Sequence, residues 1–285
     1  MDIWSFAFMQ RALVAGLLTG LLCALVGFFV VLRYMSFVGA GISHSVFGGM
    51  ALALWLGLPL DWPAMIFAVL LAWAIGYTSR HGDLHEDVTI GIFFAATMAL
   101  GVLVVSTFTG TYVDLFSFLF GNILGVTNAD LRLLVWVTAA VSLFIIFAFK
   151  ELLFSAFDQD VATAMGVPVT WLYYALLTAL AISIVASVKV VGIVLASAML
   201  VLPAATGFQL SKNYRGMIAW SLVVGPLATT GGMVVSYVYG WPAGATIVLV
   251  AAGIFSLAFT FSPRRGFWSR FLPDNSHPDT SHPNA

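Results

Sequence analysis

The chain has 285 residues, of which 61% are hydrophobic and only 8% carry a charge, and its net charge is −1. Soluble domains usually contain roughly a quarter charged residues, so this composition excludes a soluble globular domain and gives no indication of nucleic-acid binding. The apolar runs exceed the roughly 20 residues that a helix needs to cross about 30 Å of hydrocarbon, and they lack the alternation of a transmembrane barrel. We therefore predict an all-α polytopic membrane protein.

Nine apolar segments are predicted to cross the membrane, which puts the two termini on opposite sides. They are residues 12–32, 43–58, 62–79, 88–108, 131–149, 169–188, 190–210, 216–239 and 243–261. Residues 111–126 are too few to cross and are predicted to dip into the interface as a re-entrant half-helix, while eight or ten spans fit the pattern nearly as well. Residues 1–262 form one transmembrane domain in this prediction, and the polar segment 263–285 is a disordered tail.

The basic residues predict the orientation, because Lys and Arg concentrate in cytoplasmic loops. A cytoplasmic C-terminus puts eight of them inside and three outside. The inner set is Arg33, Arg80, Lys150, Lys212, Arg215, Arg264, Arg265 and Arg270, and the outer set is Arg11, Arg132 and Lys189. The N-terminus is therefore expected outside the cell.

A charged interruption between two spans, residues 150–168, predicts a short helix over 159–165 on the cytoplasmic side. Asp158 can cap its first free N–H groups, Gly166 can end it with a positive φ, and Pro168 suits the first turn of the next helix. Such a helix is either a plain connector or a compact knob that contacts a partner in the cytoplasm.

Two prolines, Pro203 and Pro226, fall inside predicted spans, where each is expected to break its helix. Broken helices at membrane depth survive where they face protein or a water-lined path, which favours a transporter or channel over a passive anchor. The sequence has no P-loop, and its carboxylates lie at span ends or in loops, so neither ATP hydrolysis nor a chain of buried proton carriers is indicated. Energy is therefore expected from a partner that docks on the cytoplasmic knob.

Several stretches together resemble the integral-membrane permeases of bacterial ABC importers for zinc, manganese or iron. They are residues 28–39, 42–45, 113–126, 160–166, 189–206, 230–237 and 241–245. The resemblance implies a dimer of permeases in the cell inner membrane, two separate cytoplasmic ATPase subunits and an extracytoplasmic metal-binding protein. It implies no permanently bound cofactor and no enzymatic activity in this chain, with ATP used only by the partner.

In such importers a short cytoplasmic helix sits in a cleft of each ATPase, which is the position of residues 159–165. The candidate coupling residues are Asp158, Asp160, Ala162 and Gly166. The resemblance also makes His44 a candidate metal ligand of the ion path, since neutral imidazole binds divalent transition metals well. In the family an aspartate often lies four residues before this histidine, whereas this chain has Ala40.

Alternatives stay open for each of these candidates. His44 can instead be a structural residue bonded to a backbone carbonyl, and Asp114 can guide a cation inward or merely cap a half-helix. Pro203 is the third candidate residue of the ion path, after His44 and Asp114. At the level of function, the alternatives are a permease for a metal chelate of the haem, siderophore or cobalamin type and a membrane scaffold without transport.

Overall fold

The computed structural model describes residues 7–59, 61–82, 85–107, 121 and 125–262, and within them it contains only helices as regular elements. In chain order these are α1 (Ala7–Leu32), α2 (Ser36–Trp55), α3 (Asp61–His81), α4 (Glu86–Ser106), α5 (Asn128–Phe147), α6 (Phe149–Phe157), α7 (Gln159–Ala164), α8 (Val169–Val191), α9 (Ile193–Leu210), α10 (Tyr214–Tyr239) and α11 (Ala243–Thr260).

Nine helices in the described part of the chain are long and apolar enough to cross a membrane, which confirms the predicted polytopic fold. Their order and number match the nine predicted spans. The largest difference is in α2, which begins at Ser36 rather than at residue 43 and is therefore a full-length span. The predicted half-helix falls mostly on residues outside the described ranges, as does the tail 263–285.

The centre of the bundle is formed by α1, α2 and α8, while α4 and α5 are the most exposed of the long helices. Helices approach closely through small residues, as expected where lipid provides no hydrophobic drive between helices. A Cβ on Gly20 of α1 would lie 2.8 Å from the backbone of Gly225 in α10, and one on Gly27 would collide with the carbonyl of Leu200 in α9. These contacts fix α1 against the C-terminal helices.

The prediction that two prolines break their helices was wrong. Helix α9 continues through Pro203, whose side chain is buried, and α10 continues through Pro226. A proline removes one backbone donor, but inside a membrane bundle the neighbouring hydrogen bonds and packed helices keep the rest of the turn in place. The actual break lies at Gly192, whose φ of 83° and ψ of 167° separate α8 from α9.

An ion-pair cluster connects three helix ends on one face of the bundle. Lys189 Nζ near the end of α8 lies 2.6 Å from Asp61 at the start of α3 and 2.7 Å from Asp130 at the start of α5. Asp130 also completes a capping box with Thr127, which fixes the first turn of α5. We call this the Lys189 face.

The opposite ends of these helices meet α6 and α7 on the other face. Arg80 at the end of α3 donates to Thr170 at the start of α8 across 3.3 Å, and its guanidinium lies 4.1 Å from the ring centroid of Tyr173. The Tyr173 hydroxyl donates to Glu86 at the start of α4 across 3.3 Å. We call this the α6–α7 face.

Candidate functional site

Helix α6 is a separate element at the start of the charged interruption, where the sequence prediction assigned no helix. It begins after a break at Ala148 and packs on the end of α1 through Phe149, whose ring centroid lies 6.2 Å from that of Phe28 and 5.7 Å from that of Phe29. Leu152 on the same side is fully buried. The aromatic residues therefore anchor the start of the charged segment on the bundle.

A buried polar contact adds to this anchor. The guanidinium of Arg33, which follows α1, donates to the hydroxyl of Ser155 in α6, and that hydroxyl lies 3.1 Å from the Leu152 carbonyl. Burial is the main cause that lowers the pKa of Arg33, and the nearby charge of Arg80 lowers it further. The end of α1 and the α6–α7 segment are thus held together by both apolar and polar contacts.

Helix α7 forms where the caps predicted it. Asp158 is its N-cap and accepts a hydrogen bond from the Val161 N–H across 2.9 Å. At the other end Gly166 has a φ of 83°, its N–H donates to the Thr163 carbonyl, and the Val167 N–H donates to the Ala162 carbonyl. These two bonds form a Schellman motif, which ends the helix and turns the chain towards α8.

Large apolar side chains are exposed on α7 and at the end of α6. Val161 and Met165 are 46% and 71% exposed, and their spacing of four residues puts them in one stripe on α7. Phe157, the last residue of α6, is 67% exposed and precedes the extended Asp158. Asp160 is exposed beside the stripe, whereas Ala162 is fully buried and seats the helix on the bundle. The pair Val161 and Met165, four residues apart, was the signal that could have identified this surface.

His44 lies in α2 opposite α4, where its half-buried ring contacts Phe94 edge-on at a centroid distance of 5.4 Å. Its Nδ1 is 2.9 Å from the Ala40 carbonyl oxygen. Because a carbonyl only accepts, this contact requires the proton on Nδ1 and leaves the Nε2 lone pair available for a metal ion. The same bond is the one expected of a structural histidine, so the geometry is compatible with both interpretations.

The region around His44 is held by close packing of α2 on α4. The hydroxyl oxygens of Ser45 and Thr97 lie 2.7 Å apart, and a Cβ on Gly48 would lie 2.6 Å from the Thr97 carbonyl oxygen. Among the described residues no group of three or more His, Cys, Asp or Glu side chains could hold a metal ion. His44 is therefore not part of such a group within the described structure.

The other two predicted pathway residues are Asp114 and Pro203. Asp114 lies outside the described residues. Pro203 is buried in α9. Their roles in the path stay predictions, as do those of the coupling residues of α7.

The nine membrane-length helices in the described part of the chain, with the capped α7 at one end of the bundle, define a polytopic membrane protein. Comparison with known families agrees. A model of the ABC 3 transport family matches residues 5–262, so the chain belongs to this family. The resemblance to permeases of bacterial metal ABC importers is thereby confirmed.

Similar proteins cover almost the whole chain. The manganese transport system membrane protein MntC of Halalkalibacterium halodurans is 40% identical over 274 residues, which are 95% of this chain and 92% of that protein. The manganese import system permease protein ScaB of Streptococcus gordonii is 36% identical over 93% of this chain and 95% of its own length. The chelated iron transport system membrane protein YfeD of Yersinia pestis is 34% identical over 91% and 87%, respectively.

Solved structures have the same fold. A chain of PsaBC from Streptococcus pneumoniae in complex with Fab aligns with a TM-score of 0.84 and 36% identity, covering 95% of this chain and 97% of that one. An inward-facing putative metal-chelate type ABC transporter aligns with a TM-score of 0.69 at 17% identity, which is a likeness of fold alone.

Proposed function

We propose that the chain is the permease subunit of an ABC importer that moves a divalent transition-metal ion into the cytoplasm. The observation that carries the proposal is the full-length similarity, at 40% identity, to a protein named as a manganese transport permease. Manganese is the substrate that we favour, and iron comes next because a chelated iron permease is 34% identical. Zinc belongs to the same chemical class, but none of these names supports it.

In this proposal α7 is the coupling helix and contacts a separate ATPase subunit. Three features support it: α7 is capped at both ends, it is fixed to α1 through α6, and it exposes the stripe of Val161 and Met165. An exposed apolar stripe beside the acidic Asp160 is a suitable surface for a hydrophobic cleft with a basic rim. Ala162 and Gly166 set the position and the exit of the helix.

The orientation follows from the basic residues. Arg33 and Arg80 lie on the α6–α7 face, and Lys189 lies on the opposite face. The positive-inside rule therefore assigns the α6–α7 face to the cytoplasm. The N-terminus is then outside, and the tail 263–285 is cytoplasmic. The proposed complex contains a second permease protomer, two ATPase subunits that hydrolyse ATP, and an extracytoplasmic metal-binding protein, in the bacterial inner membrane.

We assign His44 to the ion path as a transient ligand, with Asp114 and Pro203 as further candidates. The Ala40 carbonyl fixes the tautomer that leaves Nε2 free. Since Ala40 supplies no carboxylate, one protomer gives a weak site, and a second protomer can supply a second His44. Weak binding suits transport because the ion must leave the site again.

Growth under metal limitation tests the substrate. A strain that lacks the gene should fail to grow when manganese is limiting and should recover with added manganese or with the wild-type gene. Parallel cultures limited for iron and for zinc measure selectivity. Normal growth under all three limitations, in a strain without another importer for these ions, would contradict the proposal.

Variants of α7 test the coupling role separately. Val161→Asp puts a charge in the exposed stripe, and Asp160→Lys reverses the neighbouring charge; both residues are exposed, so the fold should be retained. We expect each variant to accumulate in the membrane while ATPase co-purification and metal uptake are lost. Gln159→Ala, on the same helix and also exposed, is the matched control. Unchanged uptake and co-purification in both variants would show that α7 is a plain connector.

A further inference from the structure

A three-residue turn, residues 33–35, joins α1 to α2 on the α6–α7 face. The Met35 N–H donates to the Val30 carbonyl across 2.9 Å, and the Tyr34 N–H donates to the Val31 carbonyl across 3.2 Å. These two bonds form a Schellman motif, as at the end of α7. The connection between the two helices is therefore fixed by backbone hydrogen bonds.

The turn contains a backbone conformation that is unusual for its residue type. Tyr34 has a φ of 60°, which lies in the left-handed region that favours glycine. Its side chain is 88% exposed, so packing of the ring does not hold this conformation, whereas Met35 beside it is buried. A bulky residue persists in this region only where the surrounding structure fixes the backbone. The turn is therefore stiff, and a displacement of Arg33 should reach the first turn of α2.

Arg33 connects this turn to α6. Its guanidinium donates to the Ser155 hydroxyl, and the Ser155 side chain is fully buried. In the part of the chain that the structure describes, Arg33 Nε is buried without a hydrogen-bond partner, and no carboxylate forms an ion pair with the guanidinium. Arg80 and Glu86 are near enough for their charges, which are of opposite sign, to act on Arg33. Within the described residues, Ser155 is therefore its hydrogen-bonded attachment.

Ser155 lies close to the start of the proposed coupling helix. Asp158, the N-cap of α7, follows it by three positions, and the Asp158 N–H donates to the Phe154 carbonyl across 3.2 Å. On its other side, Ser155 donates to the carbonyl of the fully buried Leu152. A displacement of α7 is therefore transmitted to Ser155 through a continuous hydrogen-bonded stretch of chain.

The other end of this connection is the helix that carries His44. His44 follows Ser36, the first residue of α2, by eight positions, or about 12 Å along the helix at 1.5 Å per residue. Helix α7 also leads directly into α8, but the candidate metal ligand is on α2. The contact between Arg33 and Ser155 thus joins the segment of one proposed site to the helix of the other.

We propose that Arg33 is a positioning residue that couples α7 to α2 through its hydrogen bond to Ser155. This inference rests on the proposed function, since it takes α7 as the helix that contacts the ATPase and α2 as a helix of the ion path. The rings of Phe149, Phe28 and Phe29 also join α6 to α1, but apolar contacts are non-directional and permit small sliding movements. A charge-assisted hydrogen bond is directional and stronger than a neutral one, so it fixes the relative position of the two elements.

The number of manganese ions transported per ATP hydrolysed tests this role. The complete complex of permease, ATPase and metal-binding protein is reconstituted in proteoliposomes, where an internal indicator measures manganese uptake and released inorganic phosphate measures hydrolysis. We expect Ser155→Ala and Arg33→Gln to retain complex assembly and hydrolysis and to lower this ratio by about tenfold, as for the loss of one charge-assisted hydrogen bond. Arg33→Lys keeps a charged donor and should retain most of the wild-type ratio.

A double variant and a packing control separate the bond from general loosening of the structure. If the bond carries the coupling, the chain with both Arg33→Gln and Ser155→Ala has the same ratio as either single variant, whereas independent contributions would multiply to about a hundredfold loss. Phe149→Leu weakens the aromatic contact of α6 with α1 but keeps the hydrogen bond. It should lower the unfolding temperature and leave the ratio unchanged.

A fluorescent probe on α2 measures the transmission itself. Phe37, in the first turn of α2, is 66% exposed, and Cys23 is the single cysteine of the chain. Phe37→Cys in a Cys23→Ala chain can therefore be labelled with bimane at one position. The bimane emission should shift when the bound ATPase takes up ATP, and this shift should be lost when Ser155→Ala is added.

Three results would overturn the proposal: an unchanged ratio in both Ser155→Ala and Arg33→Gln, an equal loss of the ratio in Phe149→Leu, or a bimane shift that survives Ser155→Ala. In each of them the wild-type complex still transports manganese, so the proposed function is retained. A wild-type complex that hydrolyses ATP without transporting manganese or iron would contradict the proposed function, and the coupling role of Arg33 with it.

Discussion

Helix α7 and the packed pair α2–α4 both depend on a glycine, but for opposite physical reasons. Gly166 at the end of α7 has a φ of 83°, and a Cβ there would meet no atom within 4 Å. Gly48 lies in regular helix, yet a Cβ would lie 2.6 Å from the Thr97 carbonyl oxygen. The first glycine is required by backbone conformation, and the second by the close approach of another helix.

This difference extends to the two candidate sites. The α7 segment is complete within a short stretch of chain, since both caps and the exposed stripe come from residues 157–167. His44 has its orienting carbonyl within one turn, but the described residues around it supply no ligand cluster. The proposed coupling element is therefore local, whereas the proposed metal site at His44 depends on groups beyond its own helix turn.

His44→Ala should have the largest effect, reducing metal uptake to background. The substitution removes the only imidazole at this point of α2 while leaving the close α2–α4 contacts intact. Uptake of manganese is measured together with membrane abundance and ATPase co-purification, which should be unchanged. His44→Asp should retain part of the uptake with altered selectivity, since a carboxylate also binds divalent ions.

The outcome for His44 distinguishes its two interpretations. Normal uptake by His44→Ala would make it a packing residue, and loss of the protein from the membrane would do the same. In either event the ion path would have to be sought at Asp114.

Gly48→Val should destabilise the protein by about 1–3 kcal/mol, the range for overpacking in a well-packed interior. The Thr97 carbonyl is part of the α4 backbone, so α4 must move away to make room. Gly91→Val in α4 is the matched control, because a Cβ there meets no atom within 4 Å. Thermal unfolding in detergent compares the two, and equal losses would show that helix propensity, not crowding, determines the effect.

The sequence predicted the fold well because the bilayer imposes it. Each span must satisfy its backbone hydrogen bonds internally over about 30 Å, so apolar length alone locates the helices. The errors have local causes. The predicted span 43–58 begins seven residues too late for α2, which extends back to Ser36 and includes a bond from the Ser43 hydroxyl to the Gly39 carbonyl across 2.7 Å. Proline usually breaks a helix, but α9 continues through Pro203 because the surrounding helices hold it in place.

Local helix geometry was predicted where its determinants are close in sequence, although the functional roles stay predictions. Asp158 and Gly166 have cap signals within one short helix, and both act as predicted. The Lys189 cluster could not be predicted, because it needs the side-by-side arrangement of α3, α5 and α8. The pathway role of His44 stays a prediction, and the backbone carbonyl that the alternative interpretation requires is that of Ala40.

Gly166→Val should impair α7 by conformational strain alone. A non-glycine residue in the left-handed region costs about 1–2 kcal/mol, and a β-branched side chain is the least tolerated there. A cost of one or two kcal/mol lowers the population of the native turn at the end of α7 by roughly 5–30-fold, and uptake should fall with it. Gly166→Asn should retain most of the uptake because asparagine tolerates this region. Since a Cβ has open space at this position, equal loss in both variants would exclude backbone conformation as the cause.

Asp158→Ala should have the smallest effect, about 1 kcal/mol, from loss of the N-cap of α7. The carboxylate accepts from the Val161 N–H across 2.9 Å, and alanine leaves that donor to water. Hydrogen exchange of the α7 amides should therefore become faster while exchange in α8 is unchanged. Asp158→Asn separates the cap from the charge, since asparagine caps as well as aspartate but is neutral. Retained protection in Asp158→Asn with normal uptake would assign the residue to helix capping. If uptake falls in Asp158→Asn although protection is retained, the negative charge itself contacts the partner, and α7 is then less self-contained than its hydrogen bonds indicate.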